Sequence, residues 1–166
     1  MADVDISSSA TTVTASTNYV FKMYTPHDTT VANVLFWLNN AGATLSGWYT
    51  ALYNASGSLF AGTGSTDQSS KFTGATGVAI SLPLGASAAV PAGTFYVALQ
   101  SGTLSTAPQI YRGASNVGNF NVTTAAAAGA SAPRWGTAAN AWSGSTPPST
   151  LGTITPVSTA FLCAVA

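Results

Sequence analysis

The sequence predicts an all-β protein, an antiparallel two-sheet sandwich, jelly-roll-like, entered through a polar N-terminal arm. Three observations predict it. Short runs of β-branched and aromatic residues, punctuated by Gly, Pro, Asn and Asp, recur about every ten residues. Apolar residues hardly ever repeat at helical spacing. Residues 47–62, GWYTALYNASGSLFAG, read as a strand, a tight turn and a second strand without one charged side chain. At 166 residues the chain fits one domain, residues 15–166 behind an arm of residues 1–14. A globule of this size buries about 70% of the surface its unfolded chain exposes. No internal repeat or linker divides it.

Taken in order, Tyr19 to Thr25 alternates Tyr19, Phe21 and Met23 with Val20, Lys22 and Tyr24, which places the two sets on opposite faces of a strand. Pro26, His27 and Asp28 end it. Thr30 to Asn39 carries Val34-Leu35-Phe36-Trp37-Leu38, apolar on both faces, which predicts a strand inside the sandwich. Asn39-Asn40-Ala41-Gly42 turns the chain. Trp48 to Tyr53 and Ser58 to Ala61 form a hairpin, with Asn54 as an Asx-type start and Gly57 where a type I turn with a bulge needs positive φ. Val78, Ile80, Leu82 and Leu84 alternate with small or polar residues. Pro91-Ala92-Gly93 then introduces Thr94 to Gln100, where Phe95, Val97 and Leu99 share a face.

Weaker runs follow at Gln109 to Arg112 and Phe120 to Thr123, ahead of an alanine-rich stretch over 124–133 whose four consecutive alanines alone cannot fix a helix. Residues 134–150, rich in Gly, Ala, Ser and Pro and holding two tryptophans, predict a long surface connection. The run from Thr159 returns as a strand. Trp37, Trp48, Tyr53, Phe60, Phe95 and Phe161 fall on strand patterns and are expected in the core.

Charge narrows the function. Four lysines and arginines, four aspartates and no glutamate leave the chain 5% charged and neutral overall, against a usual charged share of about 25%. Nucleic acid and anionic bilayers are excluded as partners, because both need several cations acting together on phosphates. A net charge near zero removes the self-repulsion that keeps small proteins apart, which suits a subunit held in an assembly. Lone Cys163 sits in an apolar run and is expected to pack as a small hydrophobe. The start MADVDISSSATT is no secretory signal, and no run approaches the ~18 apolar residues of a membrane span. Synthesis and release in a cytoplasm follow as the expectation.

The residues for chemistry are sparse. His27 beside Asp28 could be half of a triad with Cys163 or a serine, but the pair sits in a proline-led turn, where a solvated role is expected. No G-x-S-x-G elbow, no paired Cys or His, no acidic calcium loop and no phosphate-binding lysine loop occurs. Asp3 and Asp5 are expected to be solvated. Catalytic, metal and cofactor sites are therefore all expected to be absent. What remains is aromatic surface: Arg134-Trp135 and Asn140-Ala141-Trp142 lie in the Gly- and Ala-rich connection, where rings could stack a pyranose and amides hold its hydroxyls. The opposing reading is that a loop this long needs large apolar anchors to lie flat.

Ala51-Leu52-Tyr53, Gly57-Ser58-Leu59-Phe60-Ala61, Asp67-Gln68-Ser69 and Ala92-Gly93-Thr94-Phe95-Tyr96-Val97-Ala98-Leu99 follow one another in an order and spacing that resembles a β-sandwich domain common in tail proteins of actinobacterial phages. The likeness covers roughly residues 19 to 103 and, loosely, the closing TITPVSTAFLCAVA. The resemblance implies a virion structural protein of the minor tail type, in some cases contacting host surface glycans, and carries over no catalytic residue. That domain is familiar at the C-terminal end of longer chains, whereas here it stands nearly alone behind a short arm, which suits a capsid decoration subunit equally well. The expectation is a non-enzymatic structural protein on a phage capsid or tail, located in the virion, with other virion proteins and copies of itself as partners. The alternative is a module binding host cell-wall glycan through Arg134, Trp135, Asn140 and Trp142.

Overall fold

A computed structural model describes residues 6–60, 66–74, 76–113, 135–157 and 161–166. These residues form two antiparallel sheets and almost no other regular structure. Their strands are β1 (Ile6–Thr12), β2 (Asn18–Thr25), β3 (Thr29–Asn40), β4 (Tyr49–Asn54), β5 (Val78–Val90), β6 (Gly93–Gln100), β7 (Gln109–Gly113), β8 (Trp135–Ala138), β9 (Ile154–Pro156) and β10 (Cys163–Val165). Sheet A is built around β3. Leu38 pairs with both Ile110 and Val78, and Phe36 with both Cys163 and Ile80, so β7 and β10 share one edge of β3 while β5 takes the other. β1 closes the sheet beyond β7. Sheet B runs β4-β6-β2-β8-β9. The all-β two-sheet sandwich predicted from the sequence is what the chain forms.

The pleat sorts the apolar residues between the layers. In β2, Tyr19, Phe21 and Met23 face the interior, and in β6 Phe95, Val97 and Leu99 do the same; from sheet A, Val34, Phe36, Leu38, Ile80 and Leu82 meet them. Phe21 and Phe36 touch edge to face across the layers at a centroid distance of 5.6 Å. The predicted turn after β4 forms as expected: Asn54 Oδ1 accepts from Ser56 N and Ser58 N at 3.0 Å each, and Gly57 has φ 80°.

Four expectations change. Residues 6–12, expected within an arm, pair with β7 as β1, and Val13 is buried after them, because backbone pairing on a sheet edge needs no apolar side chains. Ser58 to Ala61 does not make a full strand: Leu59 bridges Tyr53 and Ser58 bridges Thr150, leaving a short cover over the edge of β4, with Ala61 outside the described residues. The connection expected over 134–150 begins as a strand, β8, which pairs with β2 through Trp135, Gly136 and Thr137. Trp37 does not enter the core. It lies between buried Phe36 and Leu38, so the pleat turns it outward. Trp48, Tyr53, Phe95 and Phe161 are buried, and Phe60 packs partly buried against the core. The run at 120–123, the alanine-rich stretch, Asp3 and Asp5 lie outside the described residues.

Phe36→Ala should lower the unfolding free energy by about 3–5 kcal/mol in urea titrations. Trp37→Ala, one position on but outward, should cost much less.

Candidate functional site

Among the described residues, Asp28 and Asp67 are put to structural use, and Cys163 lies apart from His27 and Asp28. Asp28 Oδ1 accepts from Ala92 N at 2.9 Å, tying the β2–β3 turn to the β5–β6 turn, and Thr25 Oγ1 donates to His27 O at 2.8 Å. Beside them an open cleft of about 470 Å³ is lined by Asp28, Thr29, Thr30, Ala89, Val90 and Pro91. Cys163 pairs with Phe36, roughly 25 Å along β3 from the turn at 3.3 Å per residue, so His27, Asp28 and Cys163 do not come together. Cys163 packs against the core, and burial pushes its thiol well above the ordinary range. Among the described residues no group of three or more His, Cys, Asp or Glu could hold a metal ion.

Of the described carboxylates, Asp67 has the fullest set of bonds. It accepts from Gly47 N at 2.9 Å, Trp48 N at 3.1 Å and Ser69 N at 2.9 Å. Burial alone would raise its pKa; the three backbone N–H groups outweigh that and hold it below the ordinary aspartate value. The bonds fasten the 3-10 turn Ser69–Phe72 to the start of β4, where Phe72 packs on Trp48 with ring centroids 4.5 Å apart and planes tilted by 42°.

The four residues proposed for glycan contact separate. Arg134 lies outside the described residues. Trp135 is 8% exposed and belongs to the main core, so its ring offers almost no face to solvent. Asn140 spends its amide on its own loop, Nδ2 donating to Thr150 O at 2.9 Å, while its backbone O accepts from Asn18 Nδ2 at 3.1 Å. Asn140 and Trp142 are partly exposed, and the Trp142 ring is stacked on Tyr49 with centroids 5.6 Å apart and planes 14° apart. Tyr49 carried no signal in the sequence beyond its place in a strand.

These contacts belong to a second apolar layer. Val20, Ala51, Tyr53, Tyr96 and Ala98 project from the outer face of sheet B, and residues 139–153 fold back over them, with Leu151 buried in the cluster and Trp142 at its margin. Burial raises the pKa of the Tyr53 and Tyr96 hydroxyls.

Sheet A has no such cover among the described residues. Its register sets Leu35 between Ser81 and Ala164, Trp37 beside Ala79 and Asn33 beside Pro83, all on the outer face. Leu35, Trp37 and Ala164 are partly exposed, and Ala79, Ser81 and Pro83 are exposed. The polar groups mixed among them are neutral: Ser81 Oγ donates to Asn33 Oδ1 at 3.3 Å, and Asn39 Nδ2 to Gln109 Oε1 at 3.1 Å. The sequence signal for this face was the doubly apolar run at 34–38. No family model, no curated protein and no solved structure matches this chain.

Because the folded pKa of Asp67 is lowered, its contribution to stability is complete above the unfolded aspartate range and is lost as pH falls through the folded value. Thermal unfolding at stepped pH should therefore show a decline below about pH 4. In Asp67→Ala that decline should be shallower and neutral stability lower by about 1 kcal/mol, a figure reduced for solvent exposure.

Proposed function

We propose that this chain is a non-enzymatic structural subunit of a bacteriophage particle, seated on the capsid or tail surface and carried in the virion, with the outer face of sheet A against a neighbouring protein. The observation that carries the reading is that face: centred on Leu35 and Trp37 with small residues around them, it carries among the described residues none of the charge that would have to be desolvated on contact. The resemblance of residues 19 to 103 to phage tail β-sandwich domains supports the particle, and the near absence of charge supports an assembled state. The cluster of groups that acid, base or nucleophilic chemistry requires plays no part in this reading.

The Leu35→Lys/Trp37→Lys double variant should keep the wild-type circular dichroism spectrum, since neither side chain is in the core, yet fail to enter particles assembled in its presence. Incorporation at the wild-type level would refute the assigned face. A wild-type protein that sediments as a monomer at high concentration and does not bind its own particle would refute the function.

A second reading, contact with a host cell-wall glycan, is favoured by the Tyr49–Trp142 stack on the outer face of sheet B, where the Trp142 ring is partly exposed. On this reading Trp142→Ala abolishes retention on cell-wall polysaccharide, whereas the double lysine variant retains it.

A further inference from the structure

We propose that residues 139–153 are a strap that lifts as a unit from the outer face of sheet B while the two sheets stay paired. The inference is independent of the particle role and rests on how the strap is held. Leu59 N donates to Ser149 O at 2.9 Å, Leu151 N to Gly57 O at 2.9 Å and Asn18 Nδ2 to Asn140 O at 3.1 Å. Most of its other bonds are internal: Asn140 N to Leu151 O, Asn140 Nδ2 to Thr150 O, Ala139 N to Thr153 O, and a reciprocal pair between Ser143 and Thr146. They keep the strap's shape without fixing it to the sheet. Gly144 and Gly152 have positive φ, at its tip and near its end.

The seam beneath is poorly satisfied. Asn18 Oδ1, Tyr53 OH and Trp142 Nε1 are buried there with no hydrogen-bond partner among the described residues. Within the described residues, none of the three has a bond to offset the cost of burying a polar atom. Lifting the strap returns all three to water, and the three bonds across the seam are exchanged for bonds to water at small net loss. What resists is the burial of Leu151 and of part of Trp142. Beyond Asn18, the β2–β6 ladder is held by backbone pairing whose register runs unbroken to Thr25↔Gly93, with apolar side chains packed on both faces. The strap therefore opens well before the sheets part.

Hydrogen exchange on the intact chain tests this. The amides of Leu59 and Leu151, bonded across the seam, should exchange on the order of 100-fold faster than those of Val20 and Ala98 in the ladder. Tyr53→Phe removes one unpartnered hydroxyl from the closed seam and makes lifting harder, so exchange at Leu59 and Leu151 should slow several-fold while the ladder is unchanged. Equal protection of seam and ladder, or a Tyr53→Phe variant whose seam exchanges as fast as the wild type or faster, would overturn the proposal.

Discussion

A strand that is apolar on both faces has to be covered on both faces, and this constraint organises the molecule. In β6, Phe95, Val97 and Leu99 point one way and Tyr96 and Ala98 the other, so no single core can take them all. The chain meets the demand in sheet B by laying residues 139–153 over the outer face, which turns two layers into nearly three. The same demand arises in β3, where Val34, Phe36 and Leu38 go inward and Leu35 and Trp37 outward. There the cover is missing among the described residues, and the proposed assembly role takes its meaning from that difference between two sheets of similar sequence grammar.

With so little charge, loops are fixed by neutral and backbone groups. Asn54 holds its turn through two backbone N–H groups, Asn140 pins Thr150, and Ser101 Oγ accepts from Thr17 N at 3.0 Å while bonding back to the carbonyls of Thr14 and Thr17. Asp67 does the same work with a carboxylate. Such bonds are short-ranged and insensitive to salt, and they leave the outer surfaces electrically quiet. A face built this way neither steers nor repels a partner from a distance. It selects by shape once contact is made.

How much of this was readable in the sequence depended on whether the deciding information was local. Period-2 patterns located β2, β6 and the first half of β5, a doubly apolar run located β3, and the turn at Asn54 to Gly57, specified by the needs of its own backbone, located β4. What failed was long-range. Trp135 looked like a loop residue because its neighbours are Gly and Ala, yet those small residues let β8 pack closely: a Cβ on Gly136 would collide with Thr155 O. The polar run ISSSATT looked like an arm because β1 is held by its backbone, about which side chains say little. Trp37 looked interior because an apolar run cannot report which of its faces the fold will cover. Of the proposed glycan residues, only Trp142 kept a partly exposed ring, for the same reason: burial is decided by which segment folds over which.

The edges of the sheets add a further constraint on how the molecule can associate. β5 is long and uncharged, the kind of edge that invites pairing with another chain, but Pro83 withholds an N–H in its middle, and Leu84, Gly85, Ala86 and Ser87 stand opposite Ala32 alone, which breaks the ladder just beyond it. The free edge of β4 is covered by residues 58–60, and β9 is short and ends in Pro156. Strand addition at these edges is therefore obstructed by the chain's own design. Association is thereby turned away from these edges and toward the uncovered face. Among the described residues, obstructed edges at β4, β5 and β9 and an uncovered neutral face on sheet A favour association through that face, in keeping with the proposed seat on a particle.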